Sequence, residues 1–103
     1  MKFTVRVTDA VILDQIEAAR WYEWQREGLG RDFSERVTDA LRRLESEALL
    51  HPVRFADVRR AALQRFAAYG LFYTFRESEV TVFAVVHGAR NPSWVRRRRQ
   101  HLG

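Results

Sequence analysis

The chain has 103 residues, 47% of them hydrophobic and 30% charged, which suits one buried core and leaves too little for two. It has no cysteine, which excludes a disulfide framework and thiolate chemistry. No apolar run approaches the roughly 20 residues that cross a bilayer, so no membrane role is expected. The opening Met1-Lys2-Phe3-Thr4-Val5-Arg6-Val7 alternates polar and apolar residues and lacks the apolar block of a signal peptide, so the expected home is a reducing cytoplasm.

The net charge of +5 is unevenly placed. Residues 90–103 hold Arg90, Arg96, Arg97, Arg98 and Arg99 and no acid, so the remainder is formally neutral. Such a basic C-terminal tail attracts phosphate backbones or an acidic protein, or else serves as a solvated end. Lys2 is the single lysine. Arginine recognises carboxylate and phosphate with a planar fork but stays protonated, which points to binding or charge stabilisation rather than general-base work.

Phe3 to Val7 alternates as a strand, and Thr8 or Asp9 can cap the helix that follows. The spacing predicts that helix from about Ala10 to Arg26, with Ile12, Leu13, Ile16, Ala19 and Trp24 on one broad apolar face and Trp21 well round from it. Gly28-Leu29-Gly30 breaks it. A second helix begins near Arg31, carries the stripe Phe33, Val37, Leu41, Leu44 and Ala48, and closes at His51-Pro52. The short break predicts an antiparallel hairpin. Beyond Pro52 the period becomes two, giving strands at Val53–Val58, Arg60–Phe66 and Tyr69–Arg76, a turn at Glu77-Ser78-Glu79, and a central strand at Val80–His87. The expected fold is α+β, in the order β-α-α-β-β-β(-β), with the helical hairpin packed on a mostly antiparallel twisted sheet.

Trp21-Tyr22-Glu23-Trp24-Gln25-Arg26-Glu27-Gly28-Leu29-Gly30 with Phe33 resembles the hairpin signature of the RelE/ParE toxin superfamily, the toxic halves of type II toxin–antitoxin modules. The likeness runs on through Leu41, Leu44, Pro52, Val58-Arg59-Arg60 and Tyr69-Gly70-Leu71-Phe72-Tyr73 to Ala84-Val85-Val86-His87-Gly88-Ala89-Arg90-Asn91-Pro92 and Trp94, so it covers the whole chain. Three places depart from the pattern. Phe66-Ala67-Ala68-Tyr69 stands where the superfamily carries Phe-Pro-Tyr, with one extra residue that a local bulge would absorb; Glu27 stands where proline is common, and Asn91 where aspartate is.

The resemblance implies one toxin domain over residues 1–103, a cognate antitoxin with an acidic flexible segment lying along the hairpin and a sheet edge, and a toxin–antitoxin heterodimer or larger assembly. The His87-Gly88-Ala89-Arg90-Asn91-Pro92-Ser93-Trp94 ending is similar to the ParE branch, which implies DNA gyrase as the growth target and binding without turnover. The alternative is the RelE branch, a ribosome-dependent mRNA endoribonuclease. There Arg65, His87 and Arg90 would be the catalytic candidates, with His87 passing a proton and the arginines steadying phosphate charge.

Each candidate also has a plainer reading. His87 can simply end its strand with a hydrogen bond to backbone or a carboxylate. Arg59 and Arg60 point to opposite faces of a strand, one anchoring the sheet to acidic helix residues and the other facing a partner. Tyr69 and Tyr73 share a face and suit core packing better than base stacking. Trp21 and Tyr22 either face a partner or are covered by the tail through Trp94. The expected partner surface comprises Trp21, Tyr22, Arg60, Arg90, Trp94, Arg96, Arg97 and Arg98. No spacing of His, Asp or Glu suggests a metal site, and no cofactor is expected.

Overall fold

A computed structural model describes residues 2–102. The elements run β1 (Thr4–Val7), α1 (Asp9–Gln25), α2 (Leu29–Glu47), a 3-10 turn (Ala48–Leu50), β2 (Val53–Phe55), β3 (Val58–Ala62), β4 (Tyr69–Arg76), β5 (Glu79–His87) and α3 (Pro92–Gln100). The five strands form one sheet in the order β1-β5-β4-β3-β2, with β1 parallel to β5 and every other pair antiparallel. The α+β fold with its helical hairpin on a mostly antiparallel sheet is therefore as the sequence predicts.

The sheet is covered on both faces. The hairpin lays Val11, Ala18, Phe33, Val37 and Leu44 on Leu71, Tyr73, Val80, Val82 and Val85. Val95 of α3 closes a smaller cluster on the other face with Val58, Phe72, Phe83, Ala84 and Val86. Supplying both clusters, β5 is buried from Val80 to Val86, which is why its sequence is apolar without alternation. It also carries a bulge: Phe72 pairs with Ala84 and Tyr73 with Val82, so Phe83 is an extra residue. Tyr73 is fully buried and its hydroxyl donates to the Ala48 carbonyl at 2.6 Å, tying β4 to the end of the hairpin.

The hairpin turn is held by a carboxylate and two glycines. Glu23 accepts from the backbone N–H groups of Gly28 (3.0 Å) and Gly30 (3.0 Å), donors that the start of α2 leaves without intrahelical partners. Gly28 has φ 86°, a left-handed conformation that costs other residues about 1 kcal/mol. At Gly30 the constraint is contact: a Cβ there would stand 2.5 Å from the Ala19 carbonyl oxygen of α1. Gly30→Ala is expected to force the helices apart and destabilise the fold by about 1–3 kcal/mol, measured by urea unfolding. An effect no larger than that of Gly28→Ala would show that the close helix approach is not what this glycine serves.

Several expectations are corrected. The tail expected over residues 90–103 is not free across its described part, because Pro92–Gln100 is a helix; Asn91 caps it by accepting from the Ser93 N–H (2.8 Å) and Pro92 starts it, while Gly103 lies outside the described residues. The apolar face expected of the first helix exists but points outward: Ile12, Leu13, Ile16 and Trp24 are exposed, whereas Val11 and Ala18 are buried. Thr8 occupies the N-cap position of α1 without a side-chain cap bond. Val53–Val58 is not one strand, since Ala56 and Asp57 form the two-residue turn between β2 and β3, with Ala56 at φ 47°. The strand expected at Arg60–Phe66 is Val58–Ala62. The extra residue near Phe66 is absorbed by the connection between β3 and β4, where Tyr69 donates to the Phe66 carbonyl, and not by a strand bulge.

Candidate binding surface

Along α1, positions 11, 14, 18 and 22 turn towards the sheet and positions 12, 13, 16 and 24 turn away, as the 3.6-residue period requires. The inward set contains one carboxylate, Asp14. It accepts from the Val85 N–H (3.0 Å) and from Arg98 of α3, and Arg98 also donates to the Phe83 carbonyl (3.2 Å). This pair sits where β1 has ended at Val7 and β5 continues to His87, so it satisfies backbone groups on an edge that no strand among the described residues covers.

The outward set is a stripe of large hydrophobic side chains, with Trp24 88% and Leu13 67% exposed and Ile12 and Ile16 about half exposed. Exposed apolar side chains grouped in this way make the stripe a candidate binding surface. Beside it runs a groove between the helices, lined by Ile16, Ala19, Arg20, Glu23, Gly30, Arg31 and Ser34.

On the sheet side of α1 lies a cleft of about 240 Å³ lined by Asp14, Glu17, Ala18, Trp21, Tyr69, Val85, Val86, His87 and Arg90. It brings together four of the residues singled out from the sequence: Trp21, Tyr69, His87 and Arg90. His87 stands edge-on to Tyr69 with ring centroids 5.4 Å apart, and its Nδ1 accepts from the Ala89 N–H (2.9 Å), which puts the proton of the neutral ring on Nε2. This is the strand-ending backbone bond of the plainer reading. Burial pushes the Tyr69 hydroxyl above its usual pKa, Arg90 opposes the shift and Glu17 adds to it.

The other candidates lie elsewhere. Arg65 is ion-paired with Asp32 (2.8 Å), lies over the Phe66 ring and does not line the cleft. Tyr22 is drawn into an aromatic cluster with Phe33 (5.2 Å) and Phe66 (4.8 Å), and Trp21 packs edge-on to it at 5.1 Å while staying half exposed. Trp94 does not cover Trp21; its ring lies between the guanidinium groups of Arg90 (4.4 Å) and Arg98 (4.0 Å). Arg96 lies over Phe55, and Arg97 is exposed. Neither Arg59 nor Arg60 reaches an acidic helix residue. Arg59 donates to the His51 carbonyl, while Arg60 lies against Gly70 and Phe72 and donates to the Ala68 carbonyl (3.2 Å). Burial, followed by the nearby charge of Arg54, lowers the Arg60 pKa.

No protein-family profile and no curated protein sequence matches the chain. Its fold does have a solved counterpart. A chain from the structure described as the chromosomal ParDE TA system from P. aeruginosa superposes with a TM-score of 0.73, covering 84% of this chain and 96% of that one at 12% identity. The fold is RelE/ParE-like. Within it, the sequence signature around Trp21 to Gly30 becomes the hairpin turn held by Glu23, and the His87 to Trp94 ending becomes the cleft rim and the start of α3.

Asp14, Glu17, Glu23 and Asp57 were not singled out by the sequence reading. A signal existed for Asp14, a carboxylate at the i+3 position from Val11 and four residues before Ala18, hence on the helix face that became buried. Asp57 had none, because its partner Arg99 is distant in sequence.

The charge distribution adds a further property of this surface. From Asp9 to Glu47 the chain carries ten of its 13 acidic residues and six of its 18 basic ones, a net of −4. The strands and α3 hold the positive excess. The apolar stripe on α1 is thus bordered by Asp9, Glu17 and Glu23 with Arg20 as the helix's one cation.

Proposed function

We propose that the chain is the toxin of a type II toxin–antitoxin module, acting as one domain and held inactive by an antitoxin that covers the outward face of α1. The observation that carries this reading is the exposed stripe Ile12, Leu13, Ile16 and Trp24 on a RelE/ParE-like hairpin. The stripe is longer than an isolated surface hydrophobe and occupies one broad side of the helix, which suits a segment that orders on binding. A separate chromosomal ParDE system supplies the structural precedent for a toxin and antitoxin in one assembly.

For the growth target, the reading is DNA gyrase bound without turnover. Support comes from the dispersal of the nuclease candidates: Arg65 is committed to Asp32, and the Nδ1 of His87 is committed to backbone. The ribosome-dependent endoribonuclease remains as a second reading because His87, Tyr69, Glu17 and Arg90 do share a cleft. Expression without antitoxin separates the two. Loss of gyrase supercoiling with intact mRNA supports the first, whereas codon-positioned cleavage abolished by His87→Ala supports the second. Normal growth with neither effect would overturn the toxin assignment.

The hairpin surface makes its own prediction. Trp24→Ala with Leu13→Ala is expected to weaken antitoxin binding by roughly 30-fold or more, the effect of removing a hot spot worth about 2 kcal/mol. Both side chains are exposed, so thermal stability should hold. Calorimetric titration of the purified pair reads the change, and an unchanged Kd would place the antitoxin elsewhere.

A further inference from the structure

On the side away from the sheet, α1 carries a seam made by Asp9, Leu13, Ile16 and Arg20. Their 4-3-4 spacing is that of a helix seam which packs on another helix, and it is the same read from either end. All of them are exposed, with Ile12 and Trp24 beside them. The seam is apolar in the middle, acidic at its start and basic at its end.

Those end charges are uncommitted. Asp14 turns inward to Arg98, and Glu23 holds the amides of the hairpin turn. Among the described residues, neither Asp9 nor Arg20 makes an ion pair. They stand about three turns apart, roughly 16 Å along the helix axis. A twofold axis passing between Leu13 and Ile16, perpendicular to the helix, therefore sets Asp9 of each copy against Arg20 of the other and Leu13 against Ile16. An isologous contact makes each such pair twice. Parallel pairing would bring Asp9 to Asp9 and Arg20 to Arg20, so charge selects the antiparallel arrangement.

We propose that the chain self-associates through this seam, two copies of α1 lying antiparallel, whenever no other protein covers it. The pairing rests on the reading that the outward face of α1 is a contact surface, and it makes the chain itself a competitor for the antitoxin there. One helix pair buries less than the roughly 1,200 Å² of a lasting interface, so the dimer is reversible and yields to a tighter partner. An anionic membrane or a nucleic acid does not fit, since acids outnumber bases along the hairpin.

The test is sedimentation of the full chain alone, which is expected to pass from monomer to dimer between about 1 and about 500 μM. Asp9→Arg sets arginine against arginine twice, and Arg20→Asp sets acid against acid; each should weaken the dimer roughly tenfold or more. Joining the two changes restores opposite charges and should bring back most of the dimer. Both side chains are exposed, and circular dichroism matching that of the parent establishes that each variant is folded. Leu13→Ser should abolish the dimer, whereas Leu50→Ser, at an exposed site beyond the end of α2, should leave it unchanged. A chain that stays monomeric at the highest concentration, a dimer indifferent to Asp9→Arg, a double variant no stronger than the single ones, or a dimer lost with Leu50→Ser would each overturn the proposal. All of these leave the antitoxin reading standing, which fails instead if antitoxin affinity ignores Trp24→Ala with Leu13→Ala.

Discussion

Replacing Asp14 by alanine is expected to destabilise the fold by about 3 kcal/mol, because it leaves Arg98 without its counter-charge and the Val85 N–H without an acceptor. The side chains of the pair are only 11% and 22% exposed, so solvent neither screens the attraction well nor replaces it after the carboxylate is gone. For a domain of this size the loss corresponds to a fall in Tm of about 12 °C or more, readable by calorimetry. Removing both charges together as Asp14→Leu with Arg98→Met should cost far less than the sum of the single changes, since a buried pair exchanged for apolar groups no longer strands a charge. By contrast, removing Asp39, which bridges half-buried Arg36 and exposed Arg42 at 3.4 Å each, should change stability by less than about 1 kcal/mol. If the Asp14 and Asp39 variants melt alike, the pair does not fasten α3 to α1 as described.

That pair also explains why the C-terminal arginines are structural as well as basic. Arg98 and Arg99 are committed to Asp14 and Asp57, and Arg90 and Arg98 hold the Trp94 ring between them. Only part of the run is left to meet a partner, notably Arg96 and Arg97. The sequence showed a cluster of like charge but no acid near it, because both counter-ions come from elements far away in the chain. Asn91 followed by Pro92 was a local sign that a helix begins there.

The legible parts of the fold were those where one local signal dominates. The apolar stripe of α2 has a single orientation, so Phe33, Val37, Leu44 and Ala48 could be assigned to the core directly. The alternation of β4 and the unbroken apolar run of β5 were equally plain, and Glu77 and Ser78, both with positive φ, form the tight turn expected between them. In α1 periodicity established the helix but could not orient it. Its inward side is built from Val11, Ala18 and Tyr22 and includes Asp14, while its outward side is the more hydrophobic one. A helix apolar on two sides has little net amphipathicity, so its pattern alone does not say which side meets the sheet. The turn between β2 and β3 was hidden for another reason: Ala56 adopts a left-handed conformation that a sequence normally advertises with glycine or asparagine. For the site, the single residues His87, Arg90 and Trp21 could be named, but their meeting in one cleft depends on how α1 crosses β5.

Alkaline titration is expected to unfold the protein through Tyr73. The ring is fully buried and its hydroxyl donates to the Ala48 carbonyl, so ionisation would place a phenolate without solvent against a carbonyl oxygen. Burial raises its pKa from 10.0 to about 12, with Arg59 opposing the shift. A group whose folded pKa lies above its unfolded one stabilises the fold fully below the unfolded value. That contribution, about 2–3 kcal/mol for a shift of this size, is lost as the pH rises from near 10 through about 12. Burial raises Tyr22 and Tyr69 in the same direction, so the three tyrosines should ionise late and together with unfolding, seen as phenolate absorbance rising in step with loss of ellipticity. Tyr73→Phe removes the hydrogen bond and should cost about 1 kcal/mol at neutral pH, yet its stability should fall less steeply above pH 10. The two stability curves therefore converge as the pH rises. Curves that stay parallel across this range would mean that the alkaline transition is driven by other groups, such as the hydroxyls of Tyr22 and Tyr69, and not by the hydroxyl that ties β4 to the end of the hairpin.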